Sequence, residues 1–148
     1  MGRFKKNKTK NIRLKNLNLM KIIAGVDEVG RGSLIGPVYA AAVILDKSIN
    51  KKLLIDSKKL KKSEREILSK YIKKYSIWAI GKASVKEIEK LNILQASLLA
   101  MKRAIKKLKK KPILVLIDGN TIPSIENYNL KSVIKGDQKI PSISAASI

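Results

Sequence analysis

The sequence predicts an α/β domain in which one β-sheet is covered by helices. Short runs that are apolar on both faces, such as residues 113–117, are typical of strands buried inside a sheet. Between these runs lie segments whose apolar residues recur at three-to-four spacing, which predicts helices. The length of 148 residues is enough for one domain with a real core, and not comfortably for two.

Five segments of the chain have the composition of strands. The first is followed by Asp27-Glu28 and by Gly30 and Gly32, and the second is entered through Gly36-Pro37. Short apolar runs flanked by such turn-forming residues are typical of buried strands. The predicted strands are residues 21–26, 38–45, 76–80, 113–117 and 130–134.

The segments between the strands predict helices. Ser63 and Glu66 have the spacing of a capping box, so we expect a helix to begin at Ser63. A longer helix is predicted at residues 93–108, and Pro112 ends its apolar periodicity. The remaining helical segments are residues 85–91 and a small-residue stretch at 142–148.

The composition limits both the chemistry and the partners of the chain. Without Cys or His it has no thiolate ligand and no imidazole base, so any catalysis must come from carboxylates, Lys, Tyr, Ser or a metal. The net charge of +22 attracts polyanions, and nucleic acid is the first partner to consider. The bias towards Lys, Ile and Asn is equally typical of an AT-rich genome, which implies no partner.

Neither the first residues of the chain nor its hydropathy predicts a secretory signal or a membrane-spanning segment. Residues 1–20 are rich in Lys, Arg and Asn and contain no acidic residue, and we interpret them as a flexible basic arm. They lack the apolar core of a secretory signal. No apolar run approaches the ~20 residues that span a bilayer.

The few acidic residues follow predicted strands. Asp27 and Glu28 come after the first strand, Asp118 after the fourth and Asp137 after the fifth. Ligands of open α/β sheets bind at the carboxyl ends of strands, and carboxylate oxygens suit Mg²⁺ or Mn²⁺. Because adjacent strand residues point to opposite faces, Asp27 and Glu28 share a site only if the chain leaves the pleat there. Taken singly, each Asp is more often a cap or turn residue, and only their joint pattern indicates a metal site.

Five motifs follow one another along residues 21–148. The first is Gly25-Val26-Asp27-Glu28-Val29-Gly30-Arg31-Gly32, continued by Leu34-Ile35-Gly36-Pro37-Val38. Four more follow in order: Asp56-Ser57-Lys58-Lys59-Leu60, Leu91-Asn92-Ile93-Leu94-Gln95-Ala96, Ile117-Asp118-Gly119-Asn120, and Lys135-Gly136-Asp137 with Ser142-Ile143-Ser144-Ala145-Ala146-Ser147-Ile148.

In this order and with these spacings, the five motifs resemble those of the bacterial ribonuclease HII family, and the resemblance implies a fold and a reaction. The fold is ribonuclease H-like: a five-stranded mixed sheet with flanking helices, in which the first three strands are antiparallel neighbours and the last two are parallel to the first. The reaction is endonucleolytic hydrolysis of the RNA strand of RNA/DNA hybrids, and of DNA 5′ to embedded ribonucleotides, leaving 5′-phosphate ends. We expect a cytoplasmic monomer. The alternative is an impaired nuclease that acts only as a basic nucleic-acid-binding protein.

The resemblance also implies roles for individual residues. Asp27, Glu28, Asp118 and Asp137 are similar to four carboxylates that bind two Mn²⁺ or Mg²⁺ ions about 3.5–4 Å apart. Gly30-Arg31-Gly32 resembles a loop that reads the 2′-hydroxyl group. Lys58, Asn92 and Lys135 resemble phosphate contacts, while Trp78 is expected to lie in the core.

The chain departs from the family pattern at two places. Ser33 stands where the family usually has Pro. The family continues beyond the motif at 142–148 with further helices, and one of them carries a Tyr that packs at the RNA–DNA junction. We therefore expect residues 21–148 to form the catalytic domain without those helices, with low stability and altered activity.

Overall fold

A computed structural model describes residues 22–29 and 36–148. Its centre is one five-stranded sheet with the strand order β3-β2-β1-β4-β5, which confirms the predicted count and arrangement. The basic arm predicted at 1–20 and the loop containing Gly30, Arg31 and Gly32 lie outside the described residues. The strands are β1 (Ile23–Val29), β2 (Val38–Ile44), β3 (Ile77–Ala83), β4 (Leu114–Asp118) and β5 (Leu130–Val133).

The strand directions are those of a mixed sheet. Strands β1, β2 and β3 are antiparallel neighbours, whereas β4 is parallel to β1 and β5 is parallel to β4. The parallel pairs need long crossover connections, and the segment between β3 and β4 provides one of them with two helices. The carboxyl ends of β1, β4 and β5 consequently meet at one edge of the sheet.

Helices flank this sheet on both faces. Two short ones, at 51–55 and 136–139, were not predicted, because four or five residues are too few to show a helical period. The helices are α1 (Lys51–Ile55), α2 (Lys62–Tyr75), α3 (Val85–Leu91), α4 (Ile93–Lys107), α5 (Gly136–Lys139) and α6 (Pro141–Ser147), with a 3-10 turn at Asp56–Lys59.

Helix α4 covers one face of the sheet with small residues. Ala96, Ala100 and Ala104 are fully buried there, and they bring the helix backbone close to the strands. A Cβ atom at Gly81 would stand 2.0 Å from the carbonyl oxygen of Ala100, so only glycine allows this approach. This face forms the larger apolar core of the domain.

Helices α1, α2 and α6 build a second apolar cluster on the opposite face. Leu54 of α1, Leu68 and Ile72 of α2 and Ala145 of α6 are buried there together with Val43 of β2. A Cβ atom at Gly25 of β1 would stand 2.1 Å from the carbonyl carbon of Ser142. Helix α6 thus lies directly on the backbone of β1, beside the strand ends that carry the acidic residues.

The capping box occurs at a different place from the predicted one. Helix α2 has Lys61 at its N-cap without a side-chain cap, so the prediction that Ser63 and Glu66 cap it is wrong. Ser84 caps α3 instead: its hydroxyl accepts from the backbone amide of Glu87, and the Glu87 carboxylate accepts from the amide of Ser84. The amide of Ser84 is free for this bond because β3 ends one residue earlier.

Trp78 was expected in the core, but its side chain is 40% exposed. Its ring nitrogen donates to the carbonyl oxygen of Lys73 at 3.0 Å, and the ammonium of Lys73 lies 5.6 Å from the ring centre. Trp78 opposes Val43 in the register of β2 and β3, on the face where α4 does not pack.

Among the described residues, the helices are all too short or too polar to cross a membrane.

Candidate metal centre

Asp27 and Asp118 occupy equivalent positions on neighbouring parallel strands. Strand β1 pairs with β4 so that Val26 lies opposite Ile117, and each Asp is the next residue of its strand. Val26 and Ile117 are buried in the core beneath α4. Because side chains alternate along a strand, the two Asp side chains are directed to the other face, where α6 lies.

Asp137 reaches the same place from helix α5. Lys135 has a left-handed backbone, with φ 53° and ψ 39°, which turns the chain from the end of β5 into the helix. The amide of Gly136 then donates to Oδ1 of Asp118 at 2.8 Å. This hydrogen bond connects the strand that carries Asp118 to the helix that carries Asp137.

Helix α6 holds α5 from the opposite side. The hydroxyl of Ser144 donates to the backbone carbonyl of Asp137, and the Ser144 side chain is fully buried. Ser144 and Gly25 were not predicted as supports of the site. The run of small residues at 142–147 was the available signal, because small side chains allow a helix to approach a strand closely.

Glu28 lies next to Asp27 but on the other face of the sheet. Strand β1 stays paired with β2 as far as Val29, so the departure from the pleat that would bring Asp27 and Glu28 together does not occur within β1. Asp27 pairs with Ala41, on the side of α6, whereas Glu28 pairs with Ala40, which belongs to the core beneath α4. The side chain of Glu28 therefore starts from the α4 face, whereas those of Asp27 and Asp118 start from the α6 face.

The pKa of Asp27 is raised from 3.8 to about 7. Burial of the carboxyl is the largest cause, and the charges of Asp118, Asp137 and Glu28 also raise it. The hydrogen bond from the amide of Glu28 to Oδ1 of Asp27, at 2.8 Å, acts in the opposite direction. A buried carboxylate beside other carboxylates is stabilised when a cation joins them.

Lys58 provides a cation at this place. Its ammonium lies 2.5 Å from Oδ2 of Asp137. The hydrogen bond and charge of Asp137 raise the pKa of Lys58, and the charges of Asp118 and Asp27 add to this effect. Lys58 was predicted as a phosphate contact. In the structure it lies at the carboxylates, on the 3-10 turn that precedes α2.

The acidic residues have the chemistry of a divalent-metal site, although each already has a protein partner. Asp27 accepts from an amide, Asp118 accepts from Gly136, and Asp137 pairs with Lys58. In the part of the chain that the structure describes, no three acidic side chains form a ready-made metal cage. The set of hard oxygen donors fits Mg²⁺ or Mn²⁺ once Lys58 releases Asp137.

Of the other predicted substrate contacts, Asn92 and Lys135 have roles in the backbone structure, and Gly30, Arg31 and Gly32 lie outside the residues that the structure describes. Asn92 has φ 77° between α3 and α4, where Oδ1 accepts from the amide of Gln95 at 3.0 Å, so it caps α4. Lys135 contributes its left-handed backbone to the site, and its side chain is exposed. The basic residues of α2 were not predicted as substrate contacts, although they line a cleft next to Asp27 and Asp137.

A five-stranded mixed sheet with carboxylates on adjacent strand ends defines a ribonuclease H-like protein. The structure superimposes on ribonuclease H2 from Pyrococcus horikoshii with a TM-score of 0.68 and 27% identity, covering 84% of this chain and 68% of that one. It also resembles Bst-RNase HIII, solved in complex with Mn²⁺, with a TM-score of 0.69 and 21% identity, covering 84% of this chain and 49% of that one. The second likeness concerns the fold alone.

The sequence comparisons narrow the class to one family. Residues 24–148 match the family model for Ribonuclease HII. The chain is 79% identical over 129 residues to Ribonuclease HII from Pelagibacter ubique, covering 87% of this chain and 69% of that protein. The chain belongs to the ribonuclease HII family, and it spans 60–69% of the length of the curated relatives it matches.

Proposed function

We propose that the chain is an endoribonuclease that hydrolyses the RNA strand of RNA/DNA hybrids, and DNA 5′ to embedded ribonucleotides. The observation that supports this proposal is the meeting of Asp27, Asp118 and Asp137 at one sheet edge of a chain with a net charge of +22. Acidic side chains gathered in a strongly basic protein suit an enzyme that holds cations next to a polyanionic substrate.

Asp27, Asp118 and Asp137 would hold two Mn²⁺ or Mg²⁺ ions on the α6 face of the sheet. Glu28 would contribute from the adjacent strand position, with its side chain reaching around the sheet edge. Bound divalent ions supply Lewis acidity, which lowers the pKa of water and stabilises charge on the leaving 3′ oxygen. The reaction therefore needs no imidazole base, which agrees with a chain that contains no His.

Lys58 is proposed to exchange partners during the cycle. Its ammonium lies 2.5 Å from Oδ2 of Asp137, a partner that it would leave when Asp137 binds a divalent ion. Its side chain is 62% exposed, so it is free to turn towards solvent or towards a substrate phosphate. A Lys on a flexible stem suits this task because its charge is compact and its donors rotate.

The remaining predicted contacts enter the proposal as parts of the substrate site. Gly30, Arg31 and Gly32 would read the 2′-hydroxyl group, which is the group that marks RNA. Asn92 and Lys135 would contact phosphates, and Asn92 retains its side-chain N–H donors because its cap uses Oδ1. We also propose a monomer that acts in the cytoplasm, with residues 21–148 as its catalytic domain.

The test is cleavage of a DNA duplex that carries one ribonucleotide, in Mn²⁺ and in Mg²⁺. We expect nicking 5′ to the ribonucleotide, and a loss of about a thousandfold or more in Asp27→Asn and Asp118→Asn, because each removes a metal ligand. Glu89→Gln, at an exposed position of α3, is the matched control and should cut like the parent.

Two results would count against the proposal. Equal cleavage by the parent and the Asp variants would remove these residues from the reaction. Salt-sensitive binding of the duplex without cleavage in either metal would favour the alternative of a basic nucleic-acid-binding protein.

A further inference from the structure

A cleft of about 590 Å³ connects the acidic residues to a wall of basic ones. Asp27, Asp137 and Lys58 line one end of it, and helix α2 forms the wall. This wall has four basic residues and one acidic residue, so its charge is opposite to that of the carboxylate end. The residues of α2 that line the cleft, called here the α2 stripe, are Lys62, Arg65, Glu66, Ser69, Lys70 and Lys73.

The α2 stripe is a continuous face of the helix. Its members follow one another at alternating intervals of three and one, which places them in one row along a 3.6-residue helix. Leu68 and Ile72, on the adjoining face, are buried in the cluster formed with α1 and α6. The packing of these two side chains fixes the orientation of the helix, so the stripe is presented to the cleft by a rigid support.

The basic groups of the stripe are available to a ligand. Lys62, Arg65, Lys70 and Lys73 are all exposed. The two ion pairs found among the described residues join Lys58 to Asp137 and Arg103 to Glu87, and neither involves the α2 stripe. A ligand that enters the cleft therefore meets the cations of the α2 stripe without first breaking an ion pair of that stripe.

We propose that the α2 stripe binds the phosphate backbone of the nucleic acid on one side of the scissile phosphate. The stripe is about 16 Å long at 1.5 Å per residue, over which one strand of a duplex presents roughly five phosphates along its axis. The inference rests on the proposed function, which puts the scissile phosphate at the carboxylates. The neighbouring phosphates of the same strand would then lie along the cleft that the carboxylates share with α2. Phosphate contacts of this kind supply affinity and register without reading sequence.

The test compares two variants with equal loss of charge. The triple variant Lys62→Gln, Arg65→Gln, Lys70→Gln neutralises the stripe. The control, Lys86→Gln, Lys90→Gln, Lys109→Gln, neutralises three exposed lysines that do not line the cleft. The affinity of each 148-residue chain for a DNA duplex with one ribonucleotide is measured in EDTA, where the substrate stays intact, at several salt concentrations.

We expect the stripe variant to bind roughly tenfold or more weakly, and its plot of log K against log salt to lose about 2–3 of its slope, since each phosphate contact contributes about 0.9. The control should keep nearly the full slope. The variant Lys62→Arg, Arg65→Lys, Lys70→Arg retains the charges and should bind like the parent, which separates lost charge from lost packing.

Equal slopes for the stripe variant and the control would overturn the inference, because net charge alone would then explain any change in affinity. The same result with normal nicking by the parent would leave the proposed function intact. A third outcome is that only the stripe variant loses salt dependence while the parent does not cut the duplex. This outcome would support the phosphate site and count against the proposed nuclease activity.

Discussion

Two acidic residues of this domain, Glu87 and Asp27, have their pKa values shifted in opposite directions. Arg103 donates two hydrogen bonds to the Glu87 carboxylate at 2.7 Å, and this partner lowers the pKa of Glu87 to about 2. Burial and three neighbouring carboxylates raise the pKa of Asp27 to about 7. The ion pair of Glu87 supports the fold, whereas the crowding of Asp27 by other carboxylates is typical of a functional site.

The same contrast appears in how helices approach the sheet. Gly81 of β3 admits α4, which builds a core, and Gly25 of β1 admits α6, which supports Asp137 through Ser144. Both glycines are required because backbone atoms of the helix occupy the space of a Cβ. One close contact therefore serves stability alone, and the other serves stability and the site.

The largest expected effect is the loss of stability caused by adding a Cβ atom at either glycine. Gly25→Ala and Gly81→Ala should each lower the free energy of unfolding by about 3 kcal/mol, because backbone atoms cannot move aside as a side-chain end can. Denaturant unfolding measures this loss. Under conditions where both variants stay folded, Gly25→Ala should also bind Mn²⁺ more weakly than Gly81→Ala. Parent-like stability of Gly25→Ala would show that α6 does not lie against β1.

The next largest effect distinguishes Glu87 from Asp27 by thermal unfolding in EDTA at pH 8. Glu87→Gln should lower the midpoint by a few degrees, because it removes the charged partner of Arg103. Asp27→Asn should not lower the midpoint, because it removes a charge that Asp118 and Asp137 repel. A lower midpoint for Asp27→Asn than for Glu87→Gln would reverse the comparison.

A smaller effect concerns the cation at the site. Lys58→Met should increase the affinity for Mn²⁺ about fivefold, because the competing ammonium beside Asp137 is gone. Lys86→Met, at an exposed position of α3, is the control and should bind Mn²⁺ like the parent. Titration calorimetry measures both. An unchanged affinity in Lys58→Met would mean that Lys58 does not compete with the metal.

The smallest expected effect is the pH dependence of the stability that Glu87 contributes. Because the folded pKa of Glu87 lies below its ordinary value of 4.5, its contribution to stability is present above pH 4.5 and is lost as the pH falls towards about 2. The difference in unfolding midpoint between the parent and Glu87→Gln should therefore shrink over this interval. A difference that stays constant down to the acid limit of the folded state would exclude an ionic origin.

The sequence predicted the sheet well, because its signals are local. Each strand is a short apolar run beside a turn former, and all five lie within a few residues of their predicted places. The caps show the limit of local signals. The spacing Ser-x-x-Glu occurs at Ser63–Glu66 and at Ser84–Glu87, and only the second pair forms a capping box. The two are distinguished by the chain around them, since β3 ends just before Ser84.

The site was predicted in part. Motif resemblance gave the acidic residues, but no local pattern could show that Asp27 and Asp118 are adjacent in register, because this depends on the crossover between β3 and β4. The pairing of Lys58 with Asp137 depends on the same tertiary arrangement. The division of Asp27 and Glu28 between two faces follows from β1 continuing to Val29, beyond the end predicted from its apolar run.

Titration of the 148-residue chain with Mn²⁺ at neutral pH, beside Asp118→Asn and Glu89→Gln, tests the meeting of the carboxylates most directly. We predict two bound ions per parent chain, the same for Glu89→Gln, and loss of at least one ion from Asp118→Asn. Binding by Asp118→Asn with the stoichiometry and affinity of the parent would contradict the assignment of these strand ends as a metal centre.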